Sequence, residues 1–149
     1  MLTENELIKF RRELHSYPET GWCEFVTTHK IVEKLRSFGL DPIYGRQVIN
    51  PEFVAGRNPA KVEEAKKAAL DKGVPPEFIE SMQDYTGVAA IFETGRPGPV
   101  LAIRFDMDCV DVDEAHEAGH RPFDEGWAST NPGHMHSCGH DGHTTMGIA

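Results

Sequence analysis

Ten residues near the C-terminal end concentrate the chemistry of this chain: His134-Met135-His136-Ser137-Cys138-Gly139-His140-Asp141-Gly142-His143. They hold four of its eight histidines and one of its three cysteines. Imidazole, thiolate and carboxylate are the main metal-ligating side chains. Glycines beside them let the backbone turn sharply, so several side chains can converge on one point. The stretch therefore reads as a metal site. Cys138 and His140 are two apart and point the same way in extended backbone. Asp141 is placed to cap a helix starting at Gly142. The ligands then sit in a strand-to-helix turn, beside the positive end of a helix.

A second group of carboxylates precedes it. The run PVLAIRFDMD ends in Asp106 and Asp108, which alternation puts on the same face of a strand. Carboxylates at the C-terminal end of a strand lie where open α/β sheets place their sites. A solvated strand end is the plainer alternative. His116 and His120 have a spacing that binds metal only if the segment is helical, and Gly119 between them argues against that. His15 closes the first helix. It is either solvated or a partner of the helix dipole, or else a group that supports the site from behind or faces substrate.

The elements that must carry these residues are legible in outline. Residues 3–16 form an amphipathic helix, with Thr3 and Glu6 as a capping box and Leu7, Phe10 and Leu14 on one face. A second helix covers 24–38, with Phe25, Ile31, Val32, Leu35 and Phe38 as its stripe, His29 outside, and Gly39 as its stop. After a Pro- and Gly-rich stretch, Asn58 caps a third, peripheral helix with Pro59 at its first position. Its narrow apolar face is Val62, Ala65, Ala69 and Leu70. Pro75-Pro76 opens a fourth helix that ends near Met82. From Thr86 the pattern changes: GVAAIFET and PVLAIRFDMD flank the turn GRPGP and read as a hairpin within a sheet. Residues 111–133 are a polar loop bordering the site. Helices before strands, with another helix at the end, predict a three-layer α/β arrangement.

Composition narrows the classes of function. A net charge of −9 and a pI near 5.3 argue against nucleic acid or an anionic membrane as partner. No apolar run approaches the roughly 20 residues that span a bilayer. The opening residues lack the apolar centre of a signal peptide, so a cytoplasmic location is expected. Three cysteines are too few and odd for a disulfide framework; Cys23 and Cys109 fit better as small buried hydrophobes. Nothing terminates the last helix before Ala149, so the 149 residues are expected to be a piece of a longer domain. A structural zinc module wants four closed ligands, usually in Cys pairs, and no C-x-x-C occurs.

Three motifs in order carry a family resemblance: FRRELHSYPETGWCEF, RFDMDCVD and MHSCGHDGH. They resemble those of the metal-dependent amidohydrolases related to aminoacylase, carboxypeptidase G and the indole-acetyl-amino-acid hydrolases. The segment between about residues 45 and 85, the TGRPGP turn and the HRPF…GWAS loop narrow the resemblance to the branch that hydrolyses aminobenzoyl-glutamate. The resemblance implies the N-terminal part, residues 1–149, of a three-layer α/β/α zinc-peptidase-like catalytic domain, without its lid and dimerisation domain. It implies Cys138 and His140 as metal ligands, with Asp108 supporting the site from behind. Asp106 matches a position held by a ligating histidine in one branch; with Cys138 in that role, Asp106 need not bind metal. It further implies two divalent ions, zinc or manganese, and an N-acyl amino acid as substrate. The full-length protein would be a homodimer or a heteromer with a related partner chain, and the piece alone would be inactive. A non-catalytic metal-binding or assembly fragment is the alternative.

Overall fold

The computed structural model describes residues 2–149. Six α-helices, two 3-10 turns at Gly45–Gln47 and Pro51–Phe53, and one two-stranded sheet make up its regular structure among the described residues. Helix α1 spans Glu4–His15, α2 Phe25–Ser37, α3 Pro59–Asp71, α4 Pro76–Met82, α5 Arg121–Asp124 and α6 His140–Ile148. The starts follow the sequence signals. The Thr3–Glu6 capping box is formed in full, and the Asn58 side chain accepts from the amide of Ala60 with Pro59 behind it. Helix α2 ends as expected: Gly39 is left-handed, and the amide of Leu40 returns to the carbonyl of Leu35.

Two apolar clusters hold these elements. The larger joins α2, α3 and α4 through Phe25, Val32, Val62, Ala69, Phe78, Ile79 and Met82. Full burial of a side chain such as Phe25 is worth about 1.5–3 kcal/mol. The smaller cluster, Phe10, Leu14, Ile31 and Ile148, seats α1 on α2 and on the far end of α6. Two members of the expected stripes stay outside: Leu70 is 44% and Phe38 40% exposed. His29 is not on an open face, since its ring meets that of Phe78 edge-on at 4.7 Å.

The expected hairpin is not formed. Strand β2 is only Val88–Ala89, and it pairs antiparallel with β1, Ile43–Tyr44, far upstream. Residues 90–108 adopt no strand, and Ile91, Phe92, Val100, Leu101 and Ile103 are largely exposed. The reason lies in the pattern. These runs are apolar on successive residues, which suits a strand covered on both faces, whereas a two-stranded hairpin wets one face. No such cover exists among the described residues. The class nevertheless stands as mixed α/β, with helices dominating and a small sheet. No helix among the described residues is long and apolar enough to cross a membrane.

Candidate metal centre

Two isolated bridges bring the aspartate segment to the histidine turn. Thr20 pairs with Cys109, and Val110 pairs with Met135. The amide of Cys109 donates to the carbonyl of Glu19, and Val110 and Met135 exchange two bonds of 3.2 Å. After Met135 the chain makes a turn at Ser137 and Cys138, and Gly139 follows at φ 85°. That left-handed conformation is one glycine adopts without the Cβ penalty. It starts α6 at His140, two residues earlier than expected. Asp141 is therefore inside the first turn of the helix and not its cap, and no side chain caps α6.

His140 is the centre of the arrangement. Its Nδ1 lies 2.9 Å from Oδ1 of Asp108 and 3.0 Å from the Asp108 carbonyl oxygen. Donation of Nδ1–H to Asp108 leaves Nε2 as the free electron pair, the tautomer a metal requires. Nε2 is 3.9 Å from Oδ2 of Asp106, and His143 Nδ1 is 3.9 Å from the same oxygen. The two rings stack at 5.2 Å between centroids. The donor atoms of Asp106, His140 and His143 all lie within 4.8 Å of one another. Ligands about 2.0–2.1 Å from a tetrahedral ion sit roughly 3.4 Å apart, so a small closure suffices. Imidazole, imidazole and carboxylate accept zinc and manganese alike. The donor set fits a divalent ion.

The residues named from sequence fall as follows. His140 belongs to this group, and Asp108 orients it. Asp106 and His143 complete the group, though sequence reasoning left both without a role. The i, i+3 spacing of the two histidines on a helix was the available signal. Cys138 is exposed, with its Sγ 3.7 Å from the Asp108 carbonyl that His140 also reaches. It is in a turn and not in extended backbone, and it stands beside the three-donor group. His116 and His120 share no helix: His120 precedes α5 and bonds to Glu114 at 2.8 Å.

Behind the turn lies a buried polar network that sequence reasoning did not find. His15 is 4% exposed. Its Nδ1 meets Oδ2 of Asp141 at 2.9 Å and its Nε2 meets Oε1 of Glu114 at 3.0 Å. Arg11 Nε also reaches Asp141 Oδ2, at 3.0 Å. Burial alone would lower the His15 pKa, but the bonds to Asp141 and Glu114 outweigh it and hold the imidazole above its ordinary value. Burial likewise opposes the charge on Asp141, and His15, Arg11 and the Gly142 amide overcome it, so that carboxyl is held low. His136 is also buried, its ring nitrogens have no hydrogen-bond partner among the described residues, and burial pushes its pKa down to about 4.

Glu24 is buried as well, within the influence of the Asp108 charge. It accepts from the Thr86 hydroxyl. Burial raises its pKa to about 7, with Thr86 opposing the shift and the Asp108 charge adding to it. A carboxyl whose folded pKa exceeds its unfolded value binds protons more tightly when folded, so its contribution to stability falls as pH rises from about 4.5 through 7. Glu24→Gln keeps an acceptor for Thr86 and removes the titration. We expect it to be more stable than the parent chain at pH 8, by about 3 kcal/mol read as a higher thermal midpoint, and to approach it near pH 5. Equal midpoints at pH 8 would show that Glu24 carries no such burden.

Several known proteins are similar to the chain. No family model matches the chain. In fold it is similar to a dinuclear metal-binding peptidase of the M20 family from Bacillus subtilis, with a TM-score of 0.60 and 28% identity over 97% of this chain and 28% of that one. Its relatives in sequence include proteins named as hydrolases. Among them, a p-aminobenzoyl-glutamate hydrolase homolog of Haemophilus influenzae is 46% identical over 97% of this chain. Indole-3-acetyl-aspartic acid hydrolase of Enterobacter agglomerans is 42% identical over 96%. The chain spans about a third of the length of these relatives, 34% and 33% respectively.

Proposed function

We propose that residues 1–149 form the N-terminal part of the catalytic domain of a cytoplasmic metal-dependent amidohydrolase, and that its substrate is p-aminobenzoyl-glutamate. The observation that carries the reading is the group of Asp106, His140 and His143, with Asp108 fixing the His140 tautomer. Similarity to relatives that act on amides of glutamate and aspartate supports the substrate class.

His140 Nε2, His143 Nδ1 and Asp106 Oδ2 would hold a divalent ion, with Cys138 as a thiolate ligand of the two-ion centre. Zinc or manganese bound there supplies Lewis acidity, which can bring the pKa of a water to about 7. The chain's own residues set up that chemistry. Asp108 accepts from His140 Nδ1–H, so the imidazole keeps its lone pair on Nε2. Arg104 pairs with Oδ1 of Asp106, leaving Oδ2 toward the histidines. Further ligands and the general base would come from the remainder of a longer protein, which would work as a homodimer or with a related partner chain.

The test is release of p-aminobenzoate and glutamate from p-aminobenzoyl-glutamate by the metal-loaded longer protein, and its loss in Cys138→Ser. Metal-replete protein that leaves such amides intact would sink the proposal. The 149-residue chain by itself should bind metal and turn over none of them; a metal-dependent amidase rate from the pure chain contradicts that part.

A further inference from the structure

The buried network behind the metal turn has no part in the chemistry described so far. Yet it grips the first turn of α6 through Asp141, on a different side from the Asp108 contact to His140. That helix lacks a side-chain cap, and its buried face is Asp141, Thr144, Thr145 and Ile148, of which only the last is apolar. Hydrogen bonds, not packing, therefore fix its start. Thr144 donates to the Asp106 carbonyl at 3.0 Å, and Thr145 folds back onto the Asp141 carbonyl at 2.7 Å. Every oxygen of Asp141 is committed: Oδ1 to the Gly142 amide at 2.8 Å, Oδ2 to His15 and Arg11.

Helix geometry turns that grip into aim. Successive residues advance about 100° around the axis, so residues 140 and 143 lie about 60° apart, and residue 141 lies about 100° from one and 160° from the other. Asp141 thus holds the helix from the side away from the ligands. Rotation of α6 that moved His140 and His143 out of reach of Asp106 would pull Asp141 off His15. The other nitrogen of His15 extends the clamp. Through Glu114 it secures the 111–133 loop, where Glu114 also takes the Ser129 amide and His120.

We propose that His15 is a positioning residue for the metal centre. By bonding Asp141 and Glu114 at once it locks α6 against α1 and the 111–133 loop, in the rotation that presents His140 and His143 to Asp106. This rests on the reading of those three residues as ligands.

The test uses the 149-residue chain with cobalt(II) as probe, and amide hydrogen exchange in the metal-free chain. His15→Ala should weaken cobalt binding about 10–100-fold and speed exchange at the Gly142 and His143 amides. His15→Asn offers an amide where Nδ1 was and keeps the bond to Asp141; it should restore affinity to within about threefold. His15→Gln reaches only Glu114 and should not. Val62→Ala, in the separate core around α3, should lower thermal stability with affinity unchanged. The proposal is overturned if Asn and Gln behave alike, or if affinity merely tracks stability across all four variants. Should His15→Ala not fold, the Asn–Gln contrast still decides. A parent chain that binds no cobalt refutes the ligand reading instead, and exchange at Gly142 and His143 then decides the clamp alone.

Discussion

Alanine at position 140 should reduce the affinity of the chain for cobalt(II) by at least about 100-fold, beyond the 10–100-fold typical of losing a supporting residue. Among the described residues, His140 is the side chain that reaches both aspartates of the site: Asp108 through Nδ1 and Asp106 through Nε2. Without it, Asp106 and His143 remain as the two donors of the group. Asp108→Asn should cost less, within the 10–100-fold range, because it perturbs the tautomer of His140 and leaves the nitrogen in place. Visible absorption of the cobalt complex and competition by zinc give both numbers. The same titration examines Cys138. A thiolate-to-cobalt charge-transfer band lost in Cys138→Ser identifies a ligand; no band assigns the centre to Asp106, His140 and His143. His140→Ala that binds as tightly as the parent would falsify the site.

The largest loss of stability is expected away from the site, at Gly45. Its φ is 61°, and a Cβ there would stand 2.7 Å from both the Cα and the carbonyl oxygen of Met82. These are backbone atoms of α4, which cannot swing aside as a side chain can. The Gly45 amide also donates to the Gly87 carbonyl at 2.9 Å, next to the short sheet. Gly45→Ala therefore combines left-handed strain with a clash against a buried helix end, and should cost on the order of 4 kcal/mol. That is a large share of the ~5–15 kcal/mol that holds a domain together. Gly39→Ala is the control, since Gly39 is equally left-handed, at φ 79°, with nothing within 4 Å of the added carbon. It should cost about 1–2 kcal/mol. Urea unfolding of the two variants compares them, and similar midpoints would remove the steric argument.

Helices announced themselves through local chemistry. The capping box at Thr3, the Asn58-Pro59 start and the Gly39 stop are decided by neighbours a few residues away, so composition and spacing suffice. The strands were not legible in the same way. Residues 87–94 and 99–108 have the apolar character of strands, but whether they pair depends on which other strands lie alongside, and only Val88–Ala89 finds one, at Ile43–Tyr44. The site was half legible for a related reason. His140 and Cys138 stand out by residue type. The partnership of Asp106 with His143, and of His15 with Asp141 and Glu114, joins residues whose sequence distance carries no periodicity. His15 illustrates this best: at a helix C-terminus the dipole explains a histidine adequately, and nothing local reveals two buried carboxylates from 99 and 126 residues away.

Those two separations also govern when the chain can become native. A ribosome adding roughly 5–20 residues per second completes Asp141 about 6–25 seconds after His15. Throughout that interval α1 has its Phe10–Leu14 face but neither carboxylate for its last residue, and Ile148 of the smaller core does not yet exist. Closing such long loops comes late and slowly. The buried members of the cluster around α2, α3 and α4 all lie within residues 23–82, with Tyr17 and Val88 packed against them, and this cluster can form first. The contacts around the histidine turn therefore form after that cluster, with His15 waiting in water until Glu114 and Asp141 emerge.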